Sequence, residues 1–198
     1  MPTTPEQKSL PFVMTEVKEL ENLFSKATIG KKIMQNPTRA QILSELPQHS
    51  IAHFACHGYI ADDPSRSGLL LDDWKTASLT VSDLTSLHIT SAKFAYLSAC
   101  HTSAMRNLRL LDESINLASA IQLSGYPSVV ASLWQVVDCN LAEIVKDGYS
   151  WILKGEGTFD ARRAAEGLHN AVRHLRNKMR VKTKTDPLVW APFIHTGI

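Results

Sequence analysis

The sequence has no hydrophobic run long enough to cross a bilayer, for which about 18 consecutive apolar residues would be needed. Its first residues, MPTTPEQKSLPF, also lack the charged start and apolar stretch of a secretory signal peptide. These absences predict a soluble, cytoplasmic protein without a membrane partner.

Cysteine is scarce, and Cys56, Cys100 and Cys139 are the three in the chain. An odd number of thiols cannot pair completely, and a secreted protein with a leftover thiol is unusual. We therefore expect free thiols in a reducing compartment and no disulfide.

An excess of one charge sign is also absent, because the formal net charge is only +2. This value gives no reason to expect a nucleic-acid partner. Basic residues are nevertheless frequent between Arg162 and Lys184. Such a run is typical of a solvated helix face that leads into a basic loop, and contact with a polyanion or a protease-sensitive loop is the alternative.

The length and composition predict one α/β domain over residues 1–198. A chain of 198 residues that is 44% hydrophobic can bury a sizeable core. Helical patterns alternate with short apolar, β-branched runs, which indicates a mainly parallel sheet covered by helices on both faces.

The local patterns place the individual elements. Helices are predicted near 14–24, 36–46, 80–87, 112–123, 139–153 and 159–177, and strands near 28–34, 50–56, 69–71, 94–99 and 128–133. Asn36 is expected to cap the second helix, with Pro37 at its first position. The tail DPLVWAPFIHTGI is bounded by prolines and receives no element.

Two sequences, IAHFACHG and FAYLSACHT, each place a reactive side chain after a predicted buried strand. Because the carboxyl ends of parallel strands share one edge of a sheet, His57 and Cys100 are expected to meet there. A thiol becomes a good nucleophile when an imidazole favours the thiolate. Gly58, beside the histidine, would let a substrate approach the backbone closely, and its amide could bind an oxyanion.

These residues also resemble a known family. HFACHG, followed by LSACHT and VVASLW, is similar to the CHAT domain, a caspase-like domain of clan CD cysteine peptidases that is often joined to tetratricopeptide repeats. The likeness continues through LPFVMTEVKEL, SGLLLDD, DESINLASAIQLSGYPSVVASLWQVVD and PLVWAPFIHTG, and it is closest to fungal members. It implies a three-layer, caspase-like α/β fold.

The resemblance also implies a function. It makes His57 the general base and Cys100 the nucleophile of a cysteine endopeptidase, with the amides of Gly58 and Cys100 as the oxyanion hole. It implies no cofactor and no metal. Family members act in signalled proteolysis such as cell death or defence, and some cleave gasdermin-like proteins, so the implied partners are protein substrates and a regulatory or repeat-containing domain.

The chain departs from the commoner family pattern after the cysteine. That pattern has a glutamate after the cysteine motif and a glycine after the threonine, whereas this sequence continues Cys100-His101-Thr102-Ser103. The resemblance therefore does not determine the conformation of this loop. It implies that Asp112 or Glu113 supplies the acidic residue at the start of the following helix.

Several alternatives stay open at this stage. Cys100 could be a small buried residue, and the chain would then be a catalytically silent interaction module. His53 is expected to be a structural histidine within the strand. The possible zinc ligands are His53, Cys56, His57, Cys100 and His101. The spacing of these residues argues against a zinc site, because the sequence has no CxxC pair to anchor the metal.

Two residues are candidates for substrate selection. Asp138 could attract an arginine or lysine at the cleaved position, although it could equally cap the helix that begins near Cys139. Trp134, with Leu133, could line an apolar pocket. The oligomeric state is left undetermined.

Overall fold

A four-stranded sheet forms the centre of the protein. The computed structural model describes residues 1–27, 29–98, 116–134, 138–154, 158–182 and 187–198, with the side chains of 138–140, 154 and 180–182 excepted. The sheet has the strand order β1-β5-β6-β9, formed by Ile51–Ala55, Phe94–Ser98, Ser128–Ser132 and Phe193–Gly197. β1, β5 and β6 run parallel, and β9 runs antiparallel to β6.

The burial of each strand follows its place in the sheet. β5 (FAYLS) and β6 (SVVAS) are buried at all five positions, because both of their faces are covered. β1 alternates: Ala52 and Phe54 are buried, whereas Ile51, His53 and Ala55 are half-buried. β1 therefore shows the pattern of a strand at the edge of the sheet.

Helices cover both faces of the sheet. One core cluster contains Leu20 of α1 (Val13–Lys26), Val145 of α5 (Asp138–Ile152) and Leu168 of α6 (Ala164–Lys182), packed with Phe94 and Val130. The opposite cluster contains residues from α2 (Arg39–Glu45), α3 (Val81–Thr85) and α4 (Leu117–Leu123). This three-layer arrangement confirms the predicted α/β fold class.

Smaller elements complete the described structure. β2 (His57–Tyr59), β3 (Gly68–Leu70) and β4 (Leu79–Thr80) form a three-stranded antiparallel sheet, and β7 (Leu153–Lys154) pairs with β8 (Thr158–Phe159). Three 3-10 turns lie at Leu46–Gln48, Pro64–Arg66 and Ala161–Arg163, and the short helix α7 (Pro187–Trp190) precedes β9. No helix of the described ranges is both long and apolar enough to span a bilayer.

Several local predictions differ from the structure. The helix predicted near 159–177 begins only at Ala164, because Phe159 pairs with Leu153 and residues Ala161–Arg163 form a 3-10 turn. Residues 29–34 form no strand: they line a cavity of about 260 Å³ together with residues of β1 and are not paired with that strand.

The second helix is capped by Thr38 and not by Asn36: Thr38 and Gln41 form a capping box, in which the Thr38 amide donates to Gln41 Oε1 at 2.9 Å. The tail, which received no element, contributes α7 and β9.

We predict that Gly125→Ala destabilises the protein by about 1–3 kcal/mol, because Gly125 has φ +122° and an added Cβ would lie 2.3 Å from the Ile89 carbonyl oxygen. Gly148→Ala is the control. A Cβ there meets nothing within 4 Å, and alanine favours helix α5 by about 0.5–1 kcal/mol. Urea unfolding followed by circular dichroism measures both, and equal shifts of the two midpoints would contradict the prediction.

A second prediction concerns acid stability. Arg39 Nε donates to Asp83 Oδ2 at 2.8 Å, and this bond, helped by Thr80, lowers the pKa of Asp83 to about 2. Because this pKa lies below the unfolded value of about 3.9, the stabilisation is complete above that value and is lost as the pH falls towards 2. We expect Asp83→Asn to lower the free energy of unfolding by about 1 kcal/mol at pH 7 and by less near pH 2.

The control for this acid test is Asp72→Asn, which changes an exposed aspartate nearby. Urea unfolding of both variants between pH 2 and 7 checks the expectation. A constant difference between Asp83→Asn and the unchanged protein over that range would show that the ion pair does not carry the acid dependence.

Candidate active site

His57 lies just beyond the carboxyl end of β1. It is the first residue of β2, it is half-buried, and it is separated from β1 by the buried Cys56. The chain leaves the parallel sheet at this point to form the antiparallel β2-β3 pair, in which His57 lies opposite Leu70. The imidazole is therefore carried at the edge of the sheet where the parallel strands end.

A backbone carbonyl fixes the tautomer of His57. Its Nε2 lies 2.7 Å from the carbonyl oxygen of Lys8. A carbonyl oxygen can only accept a hydrogen bond, so Nε2 carries a proton and donates. In the neutral ring this leaves Nδ1 with a lone pair, which can accept a proton from another group.

The N-terminal segment that presents the Lys8 carbonyl is held at several points. Trp74 Nε1 donates to the Pro5 carbonyl at 3.0 Å, and Lys75 forms an ion pair with Glu6. The Leu10 amide donates to the Pro2 carbonyl at 2.8 Å. The segment therefore lies across the ends of the strands and is anchored to the turn that follows β3.

The β1-β5 register relates His57 to Cys100. Ala55 lies opposite Ser98, the last residue of β5. His57 follows Ala55 by two residues, and Cys100 follows Ser98 by two residues in the sequence. Cys100 lies outside the described residues, as do His101, Asp112 and Glu113.

The other predicted site residues fall near the same edge. Gly58 lies in β2 opposite Leu69. Trp134 follows β6 by two residues, is half-buried, and donates from its indole Nε1 to the Leu188 carbonyl at 2.9 Å. Helix α5 begins at Asp138 itself, and the Asp138 side chain is outside what the structure describes.

A buried polar network lies beside β1. His53 Nε2 lies 2.8 Å from Glu16 Oε1, and His53 Nδ1 lies 3.1 Å from the Tyr149 hydroxyl. The His53 ring stacks on Tyr96, with ring centroids 5.1 Å apart. Burial raises the pKa of Tyr149, so its phenol stays protonated and can donate to Nδ1, while Nε2 donates to the carboxylate.

This network has a structural function. Glu16 is only 1% exposed, and a buried carboxylate needs partners of this kind to offset its lost hydration. The bond to His53 holds α1 against β1, four residues before His57. His53 thus has the hydrogen-bonded environment expected for a structural histidine.

A small cavity of about 20 Å³ lies at the ends of β1 and β5, lined by Leu10, Phe12, Val13, Glu16, Cys56, Ser98 and Leu141. The Ser98 hydroxyl is buried and has no hydrogen-bond partner among the described residues. This volume is close to the minimum that one water molecule needs. The cavity therefore has room for a single small molecule between α1 and the strand ends.

One described group of side chains has a ligand set that could hold a metal ion. Oxygen or nitrogen atoms of Glu143, Asp147 and His174 lie within 4.8 Å of one another. These atoms already pair between α5 and α6, since His174 Nδ1 lies 2.6 Å from Asp147 and Lys178 Nζ donates to Glu143 at 2.6 Å. Ion pairing between the two helices accounts for this group.

Sequence reasoning missed Lys8 and Glu16. The Lys8 contribution is a backbone carbonyl, which leaves no trace in residue type, and its distance from His57 is set by the fold. Glu16 had a weak signal, because it occupies an apolar-facing position of α1 between Val13 and Leu20, both of which are buried. A carboxylate at such a position indicates a buried partner.

Comparison with known proteins identifies the family. The CHAT domain family matches residues 1–198. No curated protein sequence matches this chain. Among solved structures, the Arg-specific cysteine proteinase gingipain R is similar with a TM-score of 0.65 at 14% identity, over 99% of this chain and 43% of the gingipain chain. The same enzyme with its pro-domain, from Porphyromonas gingivalis, gives a TM-score of 0.61 at 13% identity, over 98% of this chain and 44% of that chain.

Separase from Saccharomyces cerevisiae, in complex with securin, is similar with a TM-score of 0.59 at 18% identity, over 95% of this chain and 11% of the separase chain. This chain thus spans less than half of the length of either enzyme. At such low identity the structural likeness shows the fold, and the match over the whole sequence shows the family. The chain belongs to the CHAT domain family and has the α/β fold of the caspase-like peptidases.

Proposed function

We propose that this protein is a cysteine endopeptidase in which His57 and Cys100 form the catalytic dyad. The observation that carries the proposal is the pairing of Ala55 with Ser98 across β1 and β5. The histidine and the cysteine each follow one member of this pair by two residues.

Chain geometry supports the contact. Neighbouring strands lie about 4.8 Å apart, and two residues of backbone span at most about 7 Å. Ala55 and Ser98, which precede the histidine and the cysteine by two residues in the sequence, lie opposite each other on these adjacent strands. This spacing supports the proposed contact between the imidazole and the thiol.

The Lys8 carbonyl supports the role of His57 as a base. With Nε2 donating to this carbonyl, Nδ1 is the atom that can accept the thiol proton. The same carbonyl would stabilise the imidazolium that forms, because it accepts a hydrogen bond from a charged donor.

The proposed reaction has two stages. His57 Nδ1 takes the proton from Cys100 Sγ, and the thiolate attacks the peptide carbonyl carbon while the amides of Gly58 and Cys100 stabilise the oxyanion. His57 then gives its proton to the leaving amine, which departs as the acyl-enzyme forms. A water molecule adds to the acyl group, releases the new carboxyl terminus and returns a proton to the thiolate and imidazole pair. No cofactor takes part.

Substrate choice would depend on residues beyond β6. Asp138 at the start of α5 could select arginine or lysine before the cut, and the similar gingipain R is described as Arg-specific. Capping of α5 by the same carboxylate is the alternative. Trp134 would contribute an apolar wall. The proposed substrates are proteins cleaved at few sites, in signalled proteolysis such as cell death or defence.

The dyad is tested by cleavage of a proteome-derived peptide library, read by mass spectrometry. We expect cuts that disappear in Cys100→Ala and fall by at least about 100-fold in His57→Ala, because general base catalysis contributes a factor of this size. His88→Ala, which changes an exposed histidine, should leave the cuts unchanged.

Thiol reactivity tests the dyad independently of substrate choice. Only about 3% of an ordinary thiol is ionised at pH 7, so an activated Cys100 should react with iodoacetamide up to about 30-fold faster than a free thiol and should lose this advantage in His57→Ala. An absence of cuts, with Cys100 labelled at the rate of a free thiol, would favour a catalytically silent interaction module.

Selection by Asp138 is tested with Asp138→Asn. Asparagine caps helices about as well as aspartate, so the variant removes the charge while keeping the cap. We expect kcat/KM for peptides with arginine or lysine before the cut to fall about 10-fold or more, relative to peptides with neutral residues there. An unchanged ratio in the same library assay would leave Asp138 with the capping role alone.

A further inference from the structure

An exposed apolar surface lies beside Trp134. Leu188, in the short helix α7, is 64% exposed, one of the highest values among the large hydrophobic residues described. The Trp134 indole is tied to the Leu188 backbone through its 2.9 Å hydrogen bond. We call Trp134 and Leu188 together the α7 patch.

Strand pairing places the α7 patch at the same edge of the sheet as His57. β9 runs antiparallel to β6, and its first residue, Phe193, lies opposite Ser132, the last residue of β6. The Leu133 amide also donates to the Pro192 carbonyl at 2.8 Å. Helix α7 ends just before this point, so it lies beyond the carboxyl ends of the three parallel strands.

Hydrogen bonding holds the α7 patch in place. The indole of Trp134 cannot turn away without losing its bond to the Leu188 carbonyl, and α7 is followed in the chain by β9, which pairs with β6. A partly exposed leucine of this kind favours binding when another apolar group covers the part that faces water. An extended peptide bound along this edge of the sheet would supply such a group.

We propose that the α7 patch is a substrate subsite for a large apolar side chain, such as leucine, isoleucine or phenylalanine. The inference rests on the proposed peptidase function and adds a specificity determinant, Leu188, to it. According to this proposal, the preferred substrates carry an apolar residue at a defined distance from the cleaved bond.

The strand spacing sets that distance. β9 is two strands away from β5, or about 10 Å, and Cys100 follows β5. An extended peptide advances about 3.3 Å per residue, so the apolar side chain falls about three residues from the cut.

The test compares Leu188→Ser with Leu123→Ser. Leu123 is 58% exposed, but it ends α4 and precedes the amino end of β6, at the opposite edge of the sheet. Both changes replace one exposed leucine, so the urea unfolding midpoints of both variants are expected to stay close to that of the unchanged protein. They differ in their distance from the proposed site.

The substrates are based on a peptide that the unchanged protein cleaves in the library assay. They are made in pairs, and the two peptides of a pair differ only by leucine or serine at one position. Each position on either side of the cut is varied in turn. We expect the unchanged protein to prefer leucine over serine about 10-fold in kcat/KM at one position, about three residues from the cut. Leu188→Ser should remove most of this preference, and Leu123→Ser should keep it.

The outcomes separate the two proposals. If both variants keep the leucine preference, or if the unchanged protein shows none at that distance, the subsite is overturned while the peptidase stands. Cys100 labelling in Leu188→Ser should equal that of the unchanged protein, because the subsite lies away from the dyad. If the unchanged protein neither cleaves peptides nor labels rapidly at Cys100, the proposed peptidase fails, and the subsite fails with it.

Discussion

The parallel pairing of β1 with β5 is the constraint on which the candidate site depends. β1 alternates between buried and half-buried positions, so its register is strongly fixed: a slip by one residue would turn Ala52 and Phe54 towards the less buried face. This register sets Ala55 beside Ser98, and these residues precede His57 and Cys100 by two positions in the sequence. The proposal of a dyad of His57 and Cys100 therefore depends on a register that core packing holds in place.

The N-terminal segment connects this packing to the chemistry of His57. Glu16 and His53 hold α1 against β1, and the residues before α1 cross the strand ends and bring the Lys8 carbonyl to Nε2. The contact with His57 uses the backbone of Lys8 and not its side chain. The tautomer that leaves a lone pair on Nδ1 thus follows from the position of a helix and from one backbone carbonyl 49 residues away in the sequence.

Elements with strong local patterns were predictable from the sequence. The apolar spacing of α1 and the apolar runs of β5 and β6 all indicate their structures through short-range physics. Predictions failed where the formation of a strand depends on a neighbouring strand that is distant in the sequence. Residues 29–34 contain Gly30 and two lysines and have no neighbouring strand, whereas β9 becomes a strand because β6 offers it an edge.

The sequence by itself determined the three-layer α/β class, the family and the two candidate motifs, because hydrophobic periodicity and motif order are properties of residue type. Only the tertiary structure decided that Lys8 contacts His57, that Glu16 pairs with His53, and that Leu188 is exposed next to Trp134. Each of these contacts joins residues far apart in the chain. Two of them use a backbone carbonyl, which every residue type has, so no pattern of side chains could have revealed them.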